Sequence, residues 1–409
     1  MEVLEHRSAL LGAGSRGGLD AFGPASAARA ACALGHVAVL DHEAYGLLGQ
    51  VVRGFDARRG DEAEVGRPVS AESVGQVPGL DPRRGAFAEG KAGGMRVKSA
   101  GGPIEEKGCP PDSTKSIVDY FNQEKPDCFI TSGHATQHDW QIGYSFKGGQ
   151  LRHKDGQLFG LDAQGQRFDI LSPNPRVYLP VGNCLIGEVS GRDCMVTSLI
   201  HSAGVLQMFG YTVPTWYGKG GWGIQEYFLG QPGRFTLSEA FFANTQAMLY
   251  EIETRFPKSA KVDLEQYGLE RNRRLLEDLS AKHNISGRDE LGLLWDRDTV
   301  AFYGDPAWQA RPAGAKLAWR QTLTIEGNRC TLTLAADEGG EWPGKPIIAF
   351  LPWRVTKVKI TKGEDAKPVV ADNFIMVPMK GEFHGGDKVE IVFTAERAAR
   401  PVSKAAQGR

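Results

Sequence analysis

Two residues in this chain have the types, order and setting that covalent catalysis requires. The apolar run Phe129-Ile130-Thr131 passes through Ser132 and Gly133 to His134, and a second run, Val177-Tyr178-Leu179-Pro180-Val181, passes through Gly182 and Asn183 to Cys184. A cysteine attacks as its thiolate, and a histidine on a neighbouring strand can take the proton. Acyl transfer also needs backbone N–H donors for an oxyanion, which the loop after His134 and the amide of Cys184 are placed to offer. Taken singly, Cys184 also reads as a buried strand-end thiol and His134 as a turn histidine satisfied by backbone. Their joint appearance at the ends of two separate apolar runs favours chemistry.

The elements that must hold this pair are legible from residue 112 onward. DSTKSIVDYFNQEK supplies an N-cap and apolar positions Ile117, Val118 and Phe121, so a helix precedes the first strand. Residues 141–170 carry strand-like pieces separated by Gly-Gly, Asp-Gly and Gln-Gly, the pattern of successive hairpins. RVYLPVGNC is then a buried strand, DCMVTSLIHSAG a helix and VLQMFGYTV a third strand. This alternation predicts an α/β fold whose mostly parallel sheet is covered on both faces. In such sheets, sites form at the carboxyl ends of the strands. Thr236 and Glu239 form a capping box for a helix with an apolar face of Leu237, Phe241, Met248 and Ile252, and 263–283 reads as a further amphipathic helix. After Trp319, short alternating strands predict a small all-β sandwich.

Composition narrows the function classes. The 48 basic and 49 acidic residues nearly cancel, so nothing points to nucleic acid or an anionic membrane. No apolar run reaches the roughly 18–20 residues of a membrane span. The start, MEVLEHRSALLGAGSRGG, lacks the basic n-region of a signal peptide, and localisation is unreadable. Cys32, Cys109, Cys128, Cys184, Cys194 and Cys330 include no C-x-x-C pair and no zinc-finger spacing. The expected division is an atypical, loosely ordered 1–108 in which only the patch 33–52 could form a strand or a short helix, an α/β unit over 109–312, the β-sandwich over 313–396 and a flexible tail at 397–409.

The histidine block ending Ser132-Gly133-His134 and the cysteine block ending Asn183-Cys184-Leu185-Ile186-Gly187 resemble the paired blocks of clan CD cysteine peptidases. The order, with the histidine about 50 residues upstream, is that of caspases. Within the clan the gingipain family is the most similar: a helix and strand follow (SLIHSAGVLQMFGYTV), then an aromatic segment, the TLSEA helix and a closing Gly304-Asp305-Pro306. The resemblance covers about residues 112–312. It implies a caspase-like sheet, a cysteine-type endopeptidase acting on peptide or protein substrates, His134 as general acid and base, and Cys184 as the nucleophile that forms a thioester. It further implies an oxyanion hole from the amides of Ala135 and Cys184, a turn made by Gly133, and pocket walls from Trp216, Tyr217 and Trp222. The chain departs from the family in having Ala135 where glycine is usual, and in offering no clear counterpart, within 1–108, of the strands that precede the histidine block.

Other readings stay open. His134, His138 and Asp139 could serve a metal-dependent hydrolase, since i,i+4 histidines share a helix face, although Gly133 and the strand before it fit a turn better. A nucleophile elbow fails because Ile186 stands where glycine is needed, and His201 falls mid-helix. A catalytically degenerate scaffold is the non-enzyme reading. No metal or cofactor is assigned, a structural calcium is unreadable, and Asp139, Asp193 and Glu226 are unranked candidates for a pocket floor. Oligomeric state is equally unread.

Overall fold

The computed structural model describes residues 112, 114–131, 133–142, 149–267, 274–285 and 287–399, together with five short strands between residues 33 and 108. The expectations of a loosely ordered 1–108 and a flexible 397–409 therefore fall largely outside the described residues.

The fold is mixed α/β, built on a five-stranded sheet in the order Val37–Val39, Cys128–Thr131, Arg176–Pro180, Val205–Tyr211, Val300–Gly304. The first four strands are parallel and the last is antiparallel. Side chains alternate across the pleat, so each face meets its own helices. Cys128, Ile130, Val177, Leu179 and Phe209 share a core with Leu237, Ala240, Ala243 and Ala247 of the helix Leu237–Arg255. Phe129, Tyr178 and Met208 face the other way, onto Ile117 and Phe121 of the helix Thr114–Glu124 and Met195 and Leu199 of Met195–Ser202. Burial on both faces explains why these strands read as unbroken apolar runs rather than as alternating ones.

The first hundred residues contribute more pairing than their composition suggested. Val37–Val39 lies parallel to Cys128–Ile130 at the sheet edge, and Ala33–Leu34 pairs with Arg311–Pro312. Phe87–Lys91, Gly94–Lys98 and Ile104–Gly108 form an antiparallel sheet. A strand before the histidine block therefore exists inside the 33–52 patch, although the sequence reading doubted that 1–108 could complete the sheet; it is three residues long.

The expected hairpins form a four-stranded antiparallel sheet of Asp139–Gln141, Gln150–Lys154, Gln157–Leu161 and Arg167–Asp169. Asp155 and Gly156 (φ 53° and 75°) make the tight turn that the Asp-Gly pair allows. The capping box of Thr236 and Glu239 is formed in both directions. The single helix read over 263–283 is instead a 3-10 turn, Leu264–Tyr267, and a helix, Leu275–His283, with 268–273 outside the described residues. Beyond Trp319, four strands and three strands form two antiparallel sheets that share a core of Leu332, Leu334, Ile347, Ile375, Val377, Ile391 and Phe393. This unit is seated on the α/β unit: the Tyr227 hydroxyl donates to the Pro346 carbonyl at 2.6 Å, and Phe350 and Phe374 pack on Phe235 and Phe242.

The helix Arg288–Thr299 has no amphipathic stripe and was missed in the sequence, because its consecutive Leu291, Gly292, Leu293, Leu294, Trp295 and Asp296 are all buried. It leads directly into the antiparallel edge strand. That strand ends at Gly304, whose φ is 109° and where a Cβ would stand 1.9 Å from the Leu206 carbonyl oxygen. Glycine is required there on both counts.

Candidate active site

The strands that lead to His134 and Cys184 are immediate neighbours, paired in parallel from Cys128↔Val177 to Thr131↔Pro180. Pairing continues one step past the strands, where the Val181 amide donates to the Thr131 carbonyl at 2.8 Å. Both candidate residues thus leave the same carboxyl edge of the sheet, three and four residues beyond a matched pair. Gly133 has φ 116°, a region that side chains avoid, and so makes the turn into His134.

His134 is exposed and opens a small hairpin: the Gln141 amide donates to its carbonyl at 2.9 Å, and the Thr136 amide donates to the Asp139 carbonyl at 2.8 Å. Ala135 stands opposite Trp140 between these two rungs, so its own N–H is turned away from the hairpin partner. Ala135 is absent from the positive-φ residues, which means that alanine costs the backbone nothing where the resemblance expects glycine. The hairpin also removes the helical face that His134 and His138 would have shared. The His138 ring lies 3.2 Å from His153 Nε2 instead, and His153 Nδ1 lies 2.8 Å from Asp193. Among the described residues no group of three or more His, Cys, Asp or Glu could hold a metal ion.

The cysteine turn is tightly constrained. Gly182 has φ 77°, and Leu185, directly after Cys184, has φ 56°, a conformation that costs a branched side chain about 1–2 kcal/mol. Asn183 is fully buried and joins three segments. With its amide oriented to suit its neighbours, the NH2 group donates to the Thr131 carbonyl (2.9 Å) and hydroxyl (3.0 Å), and the oxygen accepts from Trp140 Nε1 (3.0 Å). One side chain therefore ties the cysteine turn to the strand before His134 and to the hairpin after it.

The immediate partner of the sulfur is a residue that the sequence did not flag. Thr215 lies in the loop after the strand Val205–Tyr211, and both its amide nitrogen and its Oγ1 are 3.2 Å from Cys184 Sγ. The Thr215 hydroxyl donates to the Gly182 carbonyl at 3.0 Å, so in this arrangement the Cys184 S–H donates to Oγ1 while the Thr215 N–H points at the sulfur. An N–H aimed at sulfur stabilises negative charge on it. Nothing in the motif spacing marks Thr215, because it reaches Cys184 across 31 residues through the strand order alone.

Cys128, Cys184, Cys194 and Cys330 are all free, and of these only Cys184 is not buried. Burial pushes the Cys128 and Cys330 thiols up, which makes them poor nucleophiles. Cys32 and Cys109 lie outside the described residues. Of the expected pocket aromatics, Trp216 exposes 45% of its surface, whereas Tyr217 packs edge-on against Trp295 and Trp222 lies under the Lys345 ammonium at 3.9 Å. Trp216 is thus the aromatic with surface to offer a ligand.

The three candidate floor carboxylates are distinct. Asp193 is held below its ordinary range by the His153 ring and the Gly156 and Asp155 amides. Burial raises the Glu226 carboxyl, and the Lys345 ammonium opposes that shift. Asp139 has a buried Oδ1 without a hydrogen-bond partner among the described residues. His201 is exposed near the end of its helix.

No protein-family model, no curated protein and no solved structure matches this chain. Among the described residues no helix is long and apolar enough to cross a membrane.

Proposed function

We propose that this chain is a cysteine-type endopeptidase with a caspase-like arrangement of its central sheet. The observation that carries the reading is the in-register parallel pairing of Thr131 with Pro180, which sends the His134 and Cys184 loops out of one sheet edge side by side. In the reaction the Cys184 sulfur attacks the peptide carbonyl carbon and its proton passes to His134. The tetrahedral oxyanion is met by the N–H groups of Ala135 and Cys184. His134 then protonates the departing amine, leaving a thioester. Water, deprotonated by His134, hydrolyses the thioester and restores the thiol. The partial exposure of Cys184 beside three buried cysteines, the Thr215 N–H at its sulfur and the exposed Trp216 support this assignment.

The test combines alkylation with turnover. Limiting iodoacetamide followed by peptide mapping is expected to modify Cys184 first, and the rate should fall at least tenfold in His134→Ala. A fluorogenic peptide library should be cleaved by the native protein and not by Cys184→Ala. Slow alkylation of Cys184 that ignores the histidine substitution, together with an uncleaved library, would favour a non-catalytic scaffold.

A further inference from the structure

The buried helix Arg288–Thr299 has one face committed to the loop that touches the candidate nucleophile. Asp289, Gly292, Asp296 and Thr299 recur at spacings of three, four and three residues, which aligns them along a single helix face. All four meet the segment between Tyr211 and Trp222. Asp289 pairs with the Lys219 ammonium. At Gly292 a Cβ would lie 3.0 Å from the Tyr217 carbonyl oxygen and 2.8 Å from Lys219 Cε, so glycine is what lets the helix approach this closely. The Thr299 carbonyl accepts from the Thr212 amide at 2.9 Å and its hydroxyl at 3.1 Å.

Asp296 is the centre of this face. It is 2% exposed, and its Oδ1 accepts from the Tyr211 hydroxyl at 2.5 Å and the Lys219 amide at 3.0 Å. The Gly221 amide donates in turn to the Tyr211 hydroxyl at 3.1 Å. The amides of Gly221 and Trp222 also stabilise the carboxylate at longer range, although Oδ2 has no hydrogen bond of normal geometry. The loop needs such an anchor, because Gly220, Gly221 and Trp222 are successive left-handed residues (φ 70°, 86° and 56°), and a tryptophan does not hold that conformation unaided. A carboxylate with an unpartnered oxygen in the core is costly for stability alone, and the bonds that this one accepts run to Tyr211 and the Lys219 amide of one loop.

We propose that Asp296 is a positioning residue for the Cys184 site, fixing through Tyr211 and the Lys219–Trp222 amides the loop that presents the Thr215 N–H to the sulfur. This rests on Cys184 being the nucleophile. Asp296 touches no reacting atom; it acts by holding Thr215 at hydrogen-bond distance from one.

The experiment follows the rate of Cys184 alkylation against pH in the native protein, Asp296→Asn and Tyr211→Phe, with circular dichroism as the fold check. In Asp296→Asn a neutral amide replaces the carboxylate, which weakens the bonds from Tyr211 and Lys219 and turns an NH2 group toward the loop donors, so the alkylation profile should move to higher pH, with a rate at neutral pH lower by roughly tenfold. Tyr211→Phe should move it the same way by less. A folded Asp296→Asn protein with the native profile would overturn the proposal while leaving the peptidase reading intact. A native protein whose Cys184 reacts no faster than Cys194 defeats the peptidase reading itself. Hydrogen exchange on the native protein serves if neither variant folds: protected Lys219 and Gly221 amides support the anchor, and amides exchanging as freely as an exposed loop overturn it.

Discussion

The Thr215 amide nitrogen lies 3.2 Å from the Cys184 sulfur, although 31 residues separate the two in the chain. The contact exists because the strands Arg176–Pro180 and Val205–Tyr211 are neighbours and their following loops meet at one sheet edge. The hydroxyl of the same threonine closes the turn below the cysteine through the Gly182 carbonyl. A single residue therefore shapes the cysteine turn and supplies a donor to the sulfur.

Thr215→Val keeps the shape and the N–H but removes the hydroxyl. The lost bond to Gly182 should lower stability by about 0.5–1.5 kcal/mol, measured by urea unfolding. Cys184 alkylation should slow severalfold as the turn loosens, and Thr215→Ser should restore both values. Equal rates in the valine and serine variants would show that the hydroxyl has no part in the site.

Asn183→Ala removes the side-chain oxygen that accepts from Trp140 Nε1 and one of the two partners of each Thr131 group, which keep the Val181 amide and the Tyr178 hydroxyl, all in a buried setting. A loss of about 1–3 kcal/mol is expected from the buried hydrogen bonds removed. Because this side chain ties the loops of His134 and Cys184, library cleavage should fall by more than the folded fraction does if the proposed function holds. Activity that tracks only the folded fraction would make Asn183 purely structural.

Burial raises the Asp296 carboxyl from its ordinary 3.8 to about 6, so the folded state binds its proton more tightly than the unfolded chain does. The stability this group contributes is therefore complete below about 3.8 and is lost as pH rises through about 6. The unfolding free energy of the native protein relative to Asp296→Asn should decline across that window by on the order of 2–3 kcal/mol. Urea titrations at pH 4 and pH 8 measure it. A gap that is constant with pH would mean that the carboxyl does not titrate in this range.

Gly304→Ala places a methyl against the Leu206 carbonyl at a φ of 109°. Both faults fall in the strand that closes the sheet, and the expected loss is about 4 kcal/mol, among the largest single-site effects. Soluble yield and thermal unfolding check it. A well-folded alanine variant would show that the sheet edge can shift to accept the side chain.

The sequence by itself determined the α/β alternation from Asp112, the hairpins over 141–170, the capped helix at Thr236 and the short strands after Trp319. Each of these is written in local periodicity, turn residues or a cap, and each depends on neighbours close in the chain. It also singled out His134 and Cys184, because a reactive side chain at the end of an apolar run is visible within ten residues. The helix Arg288–Thr299 left no stripe, since it is buried on most sides. The edge strand Val37–Val39 left only a patch over 33–52 that could be strand or short helix, because three residues carry no period. Tertiary structure alone decided that Thr215 meets the sulfur, that Asn183 joins both loops and that Asp296 anchors Lys219. Those contacts cross 31, 52 and 77 residues, and they follow from strand order and helix docking, which no local pattern of side chains encodes.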